Sequence, residues 1–378
     1  MKKTLIAMIL VGGAGSRLQE ITKDTAKPAV SFGAKYRLID FTLSNITNSN
    51  IDVVGVVTQY EPYDLMNYIG SGASWDLDVT DGGISFLTPY ARSGGVLWQK
   101  GTAHAIKQYF RFVKENEADY VLILSGDQVY KMDYQKLFEH HLTHNAEITI
   151  AATKISQEEA SRFGILELDE KGYVVGFEEK PDNPKSNLAS MGLYLFNTDT
   201  LEALLSGASA EDEVDFGKNI IPKSIRQKKQ VSAYVFDGYW KDVGAVESLF
   251  QANMDMLDDI DFLTLNLSKN LPVYSKSLNL PPHICLENAF VKDSIIADGS
   301  IINGRLIHSS AGYETVIEKT ACVENCVLLP GVVVSKGASI KNLIVNRNTF
   351  IPENYRLEAD KITLLDEDNL ERLGDRSG

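Results

Sequence analysis

Leu5-Ile6-Ala7-Met8-Ile9-Leu10-Val11 runs directly into Gly12-Gly13-Ala14-Gly15-Ser16-Arg17-Leu18. Two structures write this pattern. Behind Lys2 and Lys3, a short apolar run is how a secretory signal begins. A strand buried on both faces and feeding a glycine-rich turn reads the same way, because neither face of it needs polar residues. The apolar run is short and meets the glycines without a spacer, so the strand reading is taken. It predicts a sheet covered on both sides, whose first loop is open to a ligand.

Outward from this stretch the same alternation continues to about residue 255. Strands are expected at Leu5–Val11, Val53–Thr58, Tyr120–Leu124, Glu147–Ala152, Gly192–Phe196 and Val231–Phe236, with helices at Ala103–Glu115 and Tyr134–Thr143. Such alternation predicts an α/β domain, a mostly parallel sheet layered with helices. Sheets of this class bind ligands beyond the carboxyl ends of their strands. Chemistry is therefore sought in the loops that follow strands.

The chain has 378 residues, 37 Lys+Arg against 51 Asp+Glu, and a net charge of −14. Its length suggests two domains, and its acidity argues against nucleic acid as a partner. No run approaches the ~20 apolar residues that cross a bilayer. Cys285, Cys322 and Cys326 have no zinc spacing and are too few for a disulfide framework, which fits a reducing cytoplasm.

The last third has a different period. Ile284, Phe290, Ile296 and Ile302 are six apart, and after a phase shift Val316, Cys322, Leu328, Val334 and Ile340 resume the step. Glycines fall between them. This period suits a parallel β-helix, in which short strands stack coil on coil. A β-sandwich with evenly spaced strands is the alternative. The expected division is a catalytic domain at 1–255, a linker at 256–280 and a β-helix domain at 281–378 with an acidic tail.

Several loops can carry chemistry. The Gly12–Gly15 turn lets main chain approach an anion, and Arg17 adds a planar cation suited to a triphosphate. It lacks the Lys-Ser/Thr of a P-loop and the third glycine of a dinucleotide fingerprint, so a plain surface turn competes with the phosphate reading. Lys27 offers a second cation on a chain stiffened by Pro28. Asp127, after the apolar strand, and Asp242 are candidate Mg²⁺ ligands, with a turn or N-cap aspartate as the alternative. Glu179-Lys180 and Lys185 to Gly192 pair carboxylates for sugar hydroxyls with lysines for a sugar phosphate, or form only a charged hairpin. His140, His141 and His144 share a helical stretch and read as solvated helix residues before they read as a metal site.

Taken together, these motifs resemble one family. They are Gly12 to Leu18, Ala26-Lys27-Pro28-Ala29-Val30, Lys35 to Phe41, Gly55 to Tyr60, Trp98 with Gly101-Thr102-Ala103, Ser125-Gly126-Asp127, Glu158 to Gly164, Glu179-Lys180-Pro181, Ala189 to Gly192 and Tyr239 to Gly244. In this order they look like the bacterial glucose-1-phosphate adenylyltransferases, also called ADP-glucose pyrophosphorylases, which commit glucose to glycogen. The likeness runs from Leu5 to about Leu257 and continues more loosely through the repeats. It implies a nucleotidyltransferase (Rossmann-like) domain, a left-handed β-helix, Mg²⁺, assembly as a homotetramer or as a heterotetramer with a related subunit, and the substrates ATP and glucose 1-phosphate. By motif position it implies that Arg17, Lys27 and Asp127 are catalytic. Gly12, Gly13, Gly15, Gln59, Gly101 and Thr102 would hold ATP. Gly164, Glu179, Lys180, Lys185 and Ser190 would hold glucose 1-phosphate, and Asp127 and Asp242 the metal.

The sequence also departs from the family. Gln128 stands where a histidine usually follows Ser-Gly-Asp, Gln99 where an aromatic follows the tryptophan, and Val11 where an alanine precedes the glycines. Relatives activated by sugar bisphosphates carry more cations around Asp24-Thr25-Ala26-Lys27 and Ser31, so little activation by fructose 1,6-bisphosphate is expected here. A low-activity regulatory subunit is the competing function, disfavoured because the phosphate and metal residues are present. An acyltransferase activity of the β-helix is disfavoured because only His283 and His308 lie in it as candidate bases.

Overall fold

The structure is a computed structural model that describes residues 4–12, 16–59, 62–89, 91–92, 95–96, 99–206, 214–258 and 271–374. Strands of three or more residues in the first region are β1 (Leu5–Leu10), β2 (Val53–Val57), β3 (Gly83–Leu87), β4 (Tyr120–Ser125), β5 (Gln128–Tyr130), β6 (Ile148–Lys154), β7 (Gly164–Leu168), β8 (Val174–Glu179), β9 (Leu188–Asn197), β10 (Val231–Val235) and β11 (Trp240–Asp242). Nine of them form one sheet, in which β3, β2, β1, β4, β9, β6 and β10 follow one another in space and the β7–β8 hairpin joins the free end of β9. β1 lies parallel to β2 and β4, β2 to β3, and β6 to β10. β9 runs antiparallel to both of its long neighbours.

The opening stretch is thus the centre of the sheet. Ile6 and Met8 pack on one face, under helices Thr102–Gln108 and Thr198–Ser206, while Ala7 and Ile9 pack on the other, over helices Leu38–Asn48 and Tyr134–Thr143. All four are fully buried. A strand covered on both faces has no solvent side on which to alternate, which is why it reads as a continuous apolar run. The helix expected at Ala103–Glu115 is two, Thr102–Gln108 and Phe110–Glu115. His141 is core: its ring nitrogens bond Thr149 and Asn197.

From Ile284 the chain winds into a three-sided parallel coil. Positions 284, 301, 316, 333 and 350 stack along one side, and 290, 305, 322, 339 and 356 along the next. The period-six pattern found the architecture but slipped in register. Ile302, Ile317, Val334 and Ile351 form one buried inward column, so Val316 faces outward, as does Cys322 beside inward Val323, while in the first coil Ile284, Cys285, Phe290 and Val291 are all exposed. Stacked positions step by six, five and six residues around a coil (284, 290, 295, 301), but the second coil spends only four on its first side (301 to 305), and a uniform step of six drifts across these short sides. Corners are turned by left-handed residues in register, among them His308, Asn325 and Asn342 at φ 44°, 51° and 61°. The Asn325 amide donates to Asn342 Oδ1 at 2.7 Å, so the corner is laddered.

The β-helix is not a free appendage. Val327, Leu329, Ile344 and Leu364 share an apolar cluster with Leu18, Ile21, Phe41 and Phe250 of the first region. The segment before it lies along helix Leu38–Asn48, where Ser44 Oγ accepts from Tyr274 N at 2.8 Å and Asn48 donates to Pro272 O at 2.9 Å. His308 spends both ring nitrogens on Asp258 and Asn325, which leaves neither for base chemistry.

Candidate active site

Four side chains from distant segments meet beyond the carboxyl ends of β1 and β4. Lys27 follows the first loop and is buried by its Pro28 turn. Its Nζ lies 2.5 Å from Asp127 Oδ2 and 3.7 Å from Asp242 Oδ1. Asp127 sits in the turn between β4 and β5, where Ser125 Oγ donates to its other oxygen. Asp242 is brought opposite by pairing of β11 with β5, register Asp242 to Gln128. Arg17 completes the group through Gly244: a Cβ there would fall 2.8 Å from Arg17 Nη2 and 2.9 Å from Asp242 Oδ2, so only glycine leaves this guanidinium its place.

The two carboxylates differ electrically. Burial pushes both up. For Asp127 the Lys27 ammonium and the Ser125 hydroxyl outweigh it, and the carboxyl is held below the usual range. For Asp242 burial prevails over Lys27, and the charge of Asp127 adds to it, so it stays above that range despite Arg17 and Arg162. A lysine ammonium stands between two hard oxygen ligands, a donor set that also suits a divalent cation.

Two cavities open on either side of this group and share Leu10, Thr102 and Ser125 in their walls. One, of about 430 Å³, is lined by Gly12, Lys27, Gln59, Gln99, Gly101 and Asp127 among others. Gln59 donates to Gln99 O at 3.3 Å, and Gln99 donates to Thr58 O at 3.0 Å. The other, of about 260 Å³, is walled by Arg17, Gly164, Glu179, Lys180, Ser190 and Asp242, with others. Burial raises Glu179 above the usual carboxylate range, with Asp215 adding to the effect and Lys180 and Lys218 opposing it. Among the described residues, no three His, Cys, Asp or Glu side chains form a metal cluster.

A family model described as nucleotidyl transferase matches residues 6–259, and one described as GlmU-like, C-terminal hexapeptide matches 286–368. The chain is 46% identical over 362 residues to a glucose-1-phosphate adenylyltransferase of Bacillus mycoides, covering 95% of this chain and 96% of that protein. Relatives of the same name from Bacillus cereus and Bacillus thuringiensis match to the same extent. The chain belongs to the glucose-1-phosphate adenylyltransferase family. The hexapeptide match agrees with a left-handed coil for its parallel β-helix.

Within this family member, most of the site residues expected from sequence do converge on the two cavities. Gly13 and Gly15 lie outside the described residues. Lys185 does not join: it is exposed, absent from the cavity wall, and 3.6 Å from Glu167 of β7. Thr102 lies between the cavities, but its hydroxyl donates to Asp215 at 3.1 Å and accepts from Phe216 N at 3.0 Å. Its work is to hold the Asp215 loop. Sequence reasoning missed Asp215, Phe216, Gly217 and Tyr194, which all line the smaller cavity. An available signal was Asp215 itself, the N-cap of the helical turn Phe216–Ile220 that accepts from Lys218 N. Arg162, Phe163 and Trp240 also line it, from motifs already noted but given no role.

No helix among the described residues is long and apolar enough to cross a membrane.

Proposed function

We propose that this protein joins ATP and α-glucose 1-phosphate into ADP-glucose and pyrophosphate for glycogen synthesis, with the nucleotide in the larger cavity and the sugar phosphate in the smaller. The observation that carries the reading is the meeting of Arg17, Lys27, Asp127 and Asp242 where the two cavities join. Two polyanions must approach there, and both cations face them.

A phosphate oxygen of the sugar attacks the α-phosphorus of ATP, in line with departing pyrophosphate. That oxygen is ionised near neutral pH, so no general base is needed. Catalysis is orientation and charge cancellation. Lys27 neutralises charge on the ATP phosphates from a fixed, buried position, Arg17 from the solvent side. Gly12 lets the main chain approach, and Gln59 reads the base beside Gly101 and Thr102. Glu179 and Ser190 take sugar hydroxyls, and Lys180 the sugar phosphate. A divalent cation, which we assign as Mg²⁺, would be held by Asp127 and Asp242 and would supply further charge neutralisation on the phosphates.

We assign catalysis to residues 1–255 and assembly, as a tetramer in the cytoplasm, to the β-helix of 281–378. The test is direct. Purified chain with ATP, glucose 1-phosphate and Mg²⁺, and with each other nucleoside triphosphate in parallel, should release pyrophosphate and yield ADP-glucose. A chain silent alone but stimulatory to a related subunit would establish the regulatory alternative instead.

A further inference from the structure

Strand β9 carries an irregularity beside the sugar cavity. Against β6, Leu193 pairs with Ala151 and Ser190 with Ala152, which leaves Met191 and Gly192 unpaired as a two-residue bulge. Gly192 takes a φ of 71°, and its N–H turns back to Ser190 Oγ at 3.2 Å. A bulge frees main-chain groups from the ladder and re-aims the side chains around it. Here the freed carbonyl is that of Met191, and it is met by one side chain: Gln128 Nε2 donates to it at 2.8 Å. The other end of the same amide, Oε1, accepts from the indole Nε1 of Trp240 at 3.1 Å. Phe163 packs edge-on against that indole, with ring centroids 5.2 Å apart. Gln128 is 7% exposed, and Gln128, Met191, Gly192, Ser190, Phe163 and Trp240 all line the smaller cavity.

We propose that Gln128 is the positioning residue of the sugar-phosphate pocket, a neutral clamp that holds the β9 bulge and the Trp240 ring at a fixed separation. The assignment rests on the sugar-phosphate reading of that cavity. A primary amide suits the task because it presents one donor and one acceptor at every physiological pH. An imidazole can do the same only while neutral, since protonation turns its acceptor into a second donor and sets it against the indole N–H. The charged groups around position 128 are Asp127 beside it, Asp242 across the β5–β11 ladder, and Arg17, Arg162, Glu179, Lys180 and Asp215 around the cavity.

The experiment measures initial rates on the full chain with ATP, glucose 1-phosphate and Mg²⁺ for wild type and Gln128→Met. Gln128→Met keeps the volume and removes both bonds. It should raise KM for glucose 1-phosphate about tenfold, while KM for ATP and kcat stay within about twofold. Unchanged ATP affinity also shows that the variant is folded. A Gln128→Met variant with unchanged sugar-phosphate KM, or with both KM values raised alike, overturns the proposal. A wild-type chain that makes no ADP-glucose would instead sink the underlying functional reading.

Discussion

The ammonium of Lys27 lies 2.5 Å from the Asp127 carboxylate, across 100 residues of sequence. The contact joins the first loop to the loop after β4 and fixes the place where charge is cancelled. Asp127→Asn keeps the shape and removes the charge. Turnover in a pyrophosphate-release assay should fall at least about a hundredfold, a barrier rise on the order of 3 kcal/mol. Circular dichroism should be unchanged, because Asp242 remains 3.7 Å from Lys27 and keeps that buried ammonium partnered. Wild-type rates in this variant would refute the charge assignment.

Glu179 and Lys185 were both assigned to the sugar phosphate by sequence position, and the structure separates them. Glu179 lines the cavity, while Lys185 is exposed on Glu167. Glu179→Gln should raise KM for glucose 1-phosphate about tenfold, and Lys185→Ala should leave it within about twofold. Steady-state kinetics on the two variants decides this. A large effect of Lys185→Ala would mean that the hairpin turns inward when substrate binds.

What was legible in the sequence was whatever local chemistry enforces. A doubly covered strand must be apolar throughout, so β1 could be read directly. The glycines before Arg17 and the aspartate in the turn after β4 are visible because a loop after a buried strand has few other reasons to carry them. Contacts made by pairing at a distance were not legible. Nothing near Thr102 says that its hydroxyl is taken by Asp215, more than 100 residues later. Nothing near Gln128 says that β11 will lay Trp240 beside it. The β-helix register failed for a geometric reason, since its short side breaks the step that the periodicity assumes.

That register can be tested by paired truncations. Ile317 is fully buried in the inward column, whereas Val316 next to it faces outward. Ile317→Ala should cost about 2–5 kcal/mol through the cavity it opens, and Val316→Ala less than about 1 kcal/mol. Urea unfolding of the two variants gives the comparison. Equal losses would mean that the coil is wound one residue out of register.

The cleft between the two regions bears on regulation. It is lined by Thr25, Ser31, Arg37 and Arg347, with other residues. Arg347 donates to Thr25 Oγ1 at 3.3 Å, and its guanidinium lies 3.9 Å from Asp64. Thr25 donates in turn to that same carboxylate. Part of the positive charge is already answered from within the chain, and Asp24 adds none. Fructose 1,6-bisphosphate at submillimolar concentration should therefore change the rate by less than about twofold. A steep activation curve would show that the cleft gathers cations from elsewhere.

Asp40 yields the last prediction, on pH and stability. It is fully buried in the first turn of helix Leu38–Asn48, where it accepts from Arg37 N at 3.0 Å and from Tyr68 OH at 2.9 Å. Burial outweighs these bonds and raises its pKa to about 7. The folded chain then holds a proton that the unfolded chain releases near pH 4. Because the folded state binds the extra proton, this group makes stability rise as pH falls from about 7 toward about 4, by up to about 1.4 kcal/mol per pH unit. Above pH 7 its ionised form is a constant cost. Asp40→Asn removes the slope. Every other titrating group remains in both proteins, so the difference in Tm between variant and wild type isolates Asp40. That difference should be most favourable to the variant at pH 7.5 and should shrink steadily toward pH 5. A difference that does not move with pH would mean that Asp40 is ionised in the folded chain throughout, with Arg37 and Tyr68 compensating its burial in full.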